Sequence, residues 1–126
     1  FILKYRGWAF YTDFMGRTCD KPLFDEDPAA YVYTGSGLNI QTSWLIKRKW
    51  EIALRNSTLF PSDKIRPKAG YNTYNQTTVG LTRYIIGHSL KVQADLSYDS
   101  YGQRNSQIIP DNYNRWQLRF QVELGL

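Results

Sequence analysis

The chain has almost none of the residues that carry covalent or metal chemistry. Among 126 residues there is one cysteine and one histidine. With only Cys19, no intrachain disulfide can form. Cys19 lies in the polar stretch TCDKP, where no histidine is near enough in sequence to activate the thiol or complete a ligand set. His88 stands alone in GHS, a turn-like sequence, and reads as structural. A nucleophile, base and acid cannot be assembled from one of each in different connections. No metal-ligand spacing and no glycine loop ahead of a helix are present. An enzyme is therefore not expected, and neither is a metal or a cofactor.

Long apolar runs are also missing. No stretch approaches the ~20 apolar residues of a membrane-spanning helix, and the mean hydropathy is −0.51. A helical span is excluded, but a barrel is not, because its strands alternate and leave a weak hydropathy signal. No segment shows a helical period. Basic residues exceed acidic ones by 16 to 11, a net charge of +5. They do not gather in one run or on one helix, so no nucleic-acid partner is expected.

What the chain does contain is alternation. In RWQLRFQVELGL, residues 115–126, the even positions are Trp116, Leu118, Phe120, Val122, Leu124 and Leu126. The odd positions are Arg115, Gln117, Arg119, Gln121, Glu123 and Gly125. A period of two with one apolar and one mixed-charge face is the mark of a strand between two unlike media. The same pattern predicts strands over residues 8–17, 31–46, 50–59, 73–86 and 89–99, after a strand stub over residues 1–6. Short turns at Gly7, Lys47-Arg48 and Gly87-His88 alternate with long polar loops over residues 18–29, 60–72 and 100–114. Outer-membrane barrels connect strands this way, with short inner turns and longer outer loops.

The predicted architecture is all-β: an antiparallel up-and-down transmembrane β-barrel. Six strands and a stub would leave lipid-exposed edges. Residues 1–126 are thus expected to be the C-terminal part of a single larger barrel domain, its other strands lying in the rest of the chain or in partner chains. Aromatics make up 16% of the chain and cluster at predicted strand ends, as interfacial girdles do. Trp8, Trp44 and Trp50 fall by the short turns. Tyr31, Tyr33, Tyr71, Tyr74, Tyr98, Tyr101, Tyr113 and Trp116 fall by the long loops. The membrane-interface set is Trp8, Trp44, Trp50, Tyr98 and Trp116. The candidate pore-lining residues are Asp13, Arg17, Glu51, Arg55, Lys91, Asp95, Arg119 and Glu123. Each acid among them has a base four residues away on its own polar face, which reads as the charge balance of a wet wall.

Three segments resemble the phosphate-selective porin O and P family, in its Bacteroidetes form. They are KYRGWAFYTDF (residues 4–14), KWEIALRNSTLFP (residues 49–61) and the hairpin TTVGLTRYIIGHSLKVQADLSY (residues 77–98). The resemblance covers the chain outside residues 18–30 and 62–72. It implies a sixteen-stranded outer-membrane porin, a homotrimer in lipid and lipopolysaccharide, passing small polar or anionic solutes by passive diffusion. It would make this chain about the last six strands. One departure is the terminal Leu126, where many outer-membrane proteins end in an aromatic residue; Phe120 keeps an internal aromatic. The family's selectivity groups lie largely in strands absent here, so no phosphate site is carried over. Two other readings of the alternation stay open: a soluble lipocalin-type binding barrel with the apolar rows inside, and a structural or assembly component holding partner proteins in an outer-membrane complex.

Overall fold

The computed structural model describes residues 1–21, 32–69, 71–87, 89–102 and 114–125. They form one seven-stranded antiparallel sheet in simple sequence order. The strands are β1 (Ile2–Tyr5), β2 (Trp8–Arg17), β3 (Gly35–Ile46), β4 (Trp50–Pro61), β5 (Thr73–Ile86), β6 (Leu90–Gly102) and β7 (Arg115–Leu124). The sheet is open: each strand bonds to its sequence neighbours, and β1 and β7 do not pair with each other.

Tight turns join the strands at one end. Arg6 and Gly7 have φ of 46° and 84°, as a two-residue type I′ hairpin requires. Lys47 and Arg48 also sit at positive φ, 50° and 56°. The Lys49 amide closes that turn by donating to the Ile46 carbonyl at 3.1 Å. The third short turn is closed by Ser89 donating to Ile86 at 2.8 Å; His88 lies outside the described residues.

The stub expected over residues 1–6 is present as a hairpin arm, with Ile2 paired to Tyr11 and Tyr5 to Trp8. Other expectations need correction. The second long strand starts at Gly35, not residue 31. Ahead of it, the Thr34 carbonyl accepts from the Ser62 amide and its hydroxyl bonds that of Ser62. Gly35 then turns at φ 147° against the Phe60 carbonyl, an approach that no Cβ could share. Tyr31 itself lies outside the described residues. Finally, the loop at residues 60–72 holds a one-turn helix, α1 (Arg66–Ala69). A single turn is too short to show a helical period, and Pro67 presets φ for it. The third and fifth predicted strands also run further than expected, to Pro61 and Gly102.

In the middle of the sheet, burial separates the two faces. Within β5, Thr78 is 6% exposed and its neighbour Val79 is 48% exposed. Within β6 the values are 5% for Asp95 and 43% for Leu96. Polar side chains are covered and apolar ones are bare, the reverse of a sheet packed on a hydrophobic core. The polar side chains cover one another through bonds across strands, as the Thr78 and Ser97 hydroxyls do at 2.8 Å. Among the described residues the fully buried apolar side chains are Ile65, in the loop just before α1, and Pro61 at the end of β4.

Candidate functional site

Backbone register stacks the polar face into rungs that cross the sheet. One rung runs Asp13, Asn39, Ser57, Gln76, Asp99 and Arg115. Four residues nearer the short turns, another runs Ala9, Ser43, Ala53, Gly80, Asp95 and Arg119. All the predicted pore-lining residues share this face, because β-strand side chains alternate strictly and these residues hold the polar parity.

The charges meet across strands, not along them. Arg119 donates from Nε and Nη2 to Asp95 Oδ2 at 3.2 and 2.9 Å. Gln93 donates to the other Asp95 oxygen at 2.9 Å. Four residues on, Arg115 donates to Asp99 Oδ2 from Nε at 3.4 Å and Nη2 at 3.1 Å, and Gln76 donates to Asp99 Oδ1 at 2.8 Å. Lys91 Nζ lies 2.9 Å from Glu123 Oε2. The expected i, i+4 balance along each strand is corrected here: such residues stand ~13 Å apart, out of contact. Their antiparallel counterparts stand side by side, within reach of an ion pair.

In the two aspartate–arginine pairs the carboxylate is sunk and the arginine projects. The Asp95 and Asp99 side chains are 6% and 4% exposed, against 56% for Arg119 and 69% for Arg115. Gly80 makes the seat for Asp95, since a Cβ there would lie 2.9 Å from Oδ1. Arg55 points into a cleft of about 130 Å³ shared with Gln41, Thr78, Gln93, Asp95 and Arg119. No ion pair or hydrogen bond holds Arg55 among the described residues, so the cleft carries two guanidiniums against one carboxylate. Glu51 accepts from the Tyr84 hydroxyl at 2.5 Å, and Asp13 from the Tyr11 hydroxyl at 3.0 Å. Arg17 is exposed at the long-loop end of β2.

The predicted interface aromatics all lie on the opposite face. Trp8 pairs with Trp44 in register, and Tyr98 with Trp116, the latter rings 4.6 Å apart. The Trp8 indole N–H donates to Thr42 Oγ1 at 2.7 Å. Arg83, which interrupts the apolar row, lies over the Trp50 ring at 5.1 Å. Not every tyrosine by the long loops belongs there. Tyr74 and Tyr101 have the polar parity and stack with Tyr71, the Tyr101 ring 5.0 Å from Tyr74 and 5.1 Å from Tyr71. Proximity to a loop does not fix a face; parity does. Tyr31, Tyr113 and Leu126 lie outside the described residues. On β4 and β5 the apolar face turns polar toward the long loops, where Asn56, Asn75, Thr58 and Thr77 bond one another at 2.8 to 3.2 Å.

No family model, curated protein or solved structure matches this chain. What the face can do therefore rests on its own groups. It offers fixed charges, amides and hydroxyls with no reactive centre among the described residues. Such a surface can replace part of a solute's hydration shell and bias the sign of what approaches it. Sequence reasoning missed the Asp99–Arg115 pair, the amide of Gln76 and the seat at Gly80. Their signal lay in comparing two strands, not in any one.

Proposed function

We infer that this sheet is part of the wall of an outer-membrane β-barrel pore, with the polar face to water and the apolar face to lipid. The carrying observation is the inverted burial, with Asp95 covered and Leu96 bare one residue apart. Strand lengths support it. From β2 to β7 they run from 10 to 14 residues, enough to cross a bilayer at the tilt of a barrel. On β7 the apolar row from Trp116 to Leu124 measures ~27 Å along the strand, or ~20 Å in height at a 40° tilt, close to the apolar band of such barrels. The open edges at β1 and β7 have no place in hydrocarbon, so further strands complete the barrel. The likeness to the phosphate-selective porins supports sixteen in all, arranged as trimers.

The pore passes small polar solutes by passive diffusion, with a tilt toward anions. The buried Asp95 and Asp99 carboxylates lie beneath Arg119 and Arg115, and Arg55 has no acidic partner among the described residues, so arginines set the sign of this part of the wall. In planar bilayers the full-length protein conducts, and its reversal potential under a salt gradient reports preference for the anion. Arg55→Glu lowers the anion-to-cation permeability ratio roughly twofold, the size of an exposed charge interaction. A protein that inserts and forms no conductance would end the pore reading.

A further inference from the structure

An open cleft of about 640 Å³ lies on the polar face near the long loops, lined by Asp13, Met15, Arg17, Tyr33, Asn39 and Leu59 among others. Its charges differ from those on β6 and β7. Asp95, Asp99 and Glu123 each have a basic partner across the strand. Asp13 and Arg17 have none: Asp13 takes one bond from a tyrosine hydroxyl, and neither makes an ion pair among the described residues. The two stand at opposite ends of the same cleft on one strand, and Met15 and Leu59 give it an apolar floor between them.

We propose that this cleft binds short zwitterionic peptides, with the ammonium terminus at Asp13, the carboxylate terminus at Arg17 and an apolar side chain on Met15 and Leu59. The inference rests on this face being the wet lumen and names a solute class for it. Spacing selects the length. Residues four apart on a strand have Cα atoms ~13 Å apart, and an extended peptide covers ~3.3–3.6 Å per residue. The long arginine side chain shortens the gap, so about two or three residues fit, and a free amino acid is too short to reach both charges. Asn39, paired in register with Asp13 and bonded by Ser57 at 2.9 Å, offers an amide to the peptide backbone. The volume suits a ligand of this size.

Calorimetric titration of the full-length protein in detergent micelles tests this with Ala-Leu-Ala, its N-acetyl form and its C-terminal amide. Each blocked terminus weakens binding roughly fivefold, the factor that one partly exposed charge contact supplies. Asp13→Asn removes the penalty for acetylation and leaves that for amidation. Arg17→Gln does the reverse. Equal binding of the three peptides, binding of none, or a penalty at one terminus alone overturns the proposal, and the comparison on the unmodified protein stands even where a variant does not fold. Micelle binding needs no conductance, so failure of the pore and failure of the site are seen separately.

Discussion

Arginine in place of Phe120 is expected to destabilise the folded protein by about 2–4 kcal/mol, whereas arginine in place of Gln121 changes stability by less than about 0.5 kcal/mol. Phe120 lies in the middle of the apolar row of β7 and is 73% exposed. An aromatic side chain so bare would be ill placed in water, but it is well placed against acyl chains. A cation there leaves water for hydrocarbon. Gln121 faces Gln93 across β6 on the polar side, where a charge stays hydrated. Equilibrium denaturation in phospholipid vesicles measures both. The same substitution at Leu124, the last residue of β7, costs no more than about 1 kcal/mol, because the penalty falls toward the interface. That gradient separates lipid contact from burial in a protein core, where cost does not track distance from a membrane surface.

Removing the Arg119 side chain gives the second large effect. Arg119→Ala strips the buried Asp95 carboxylate of its charge partner and of both guanidinium hydrogen bonds. Breaking a buried pair from one side costs about 3–5 kcal/mol. Arg119 is more than half exposed, so water compensates part of the loss and about 2 kcal/mol is expected. The double variant Asp95→Asn/Arg119→Gln keeps size and hydrogen bonding without the charges and loses less than Arg119→Ala alone. A double-mutant cycle built from these and the single variants isolates the coupling. Additive losses would mean that the pair contributes only its separate contacts.

Parity carried most of the fold at the level of sequence. Alternation in residues 115–124 places Arg119 and Phe120 on opposite faces whatever the rest of the chain does, and the same holds at Glu51 and Ile52. Register was harder, because it belongs to two strands at once. The information was nonetheless present. Lys91, Asp95 and Asp99 repeat every four residues with signs plus, minus, minus. Read backwards, Glu123, Arg119 and Arg115 repeat every four with signs minus, plus, plus. Set antiparallel, the two patterns neutralise each other in one alignment, and that alignment is the register of β6 and β7. Strand starts at irregular backbone stayed hidden. Thr34 reads as a good strand residue, and what stops the strand is Ser62, distant in sequence. The single turn of α1 was hidden for a different reason, being shorter than one helical period. The tyrosines near the long loops misled because nearness to a strand end is shared by both faces.

The most direct measurement is a single-cysteine scan of residues 116–123 in the full-length protein, reconstituted in lipid vesicles with Cys19 replaced by serine. A spin label at each position reports contact with lipid-soluble oxygen and with a water-soluble nickel chelate. The account predicts oxygen-dominated collisions at 116, 118, 120 and 122 and chelate-dominated collisions at 117, 119, 121 and 123. A scan in which labels at 118, 120 and 122 meet neither reagent, while those at 119 and 121 meet the chelate freely, would put the apolar row in an enclosed interior and contradict it.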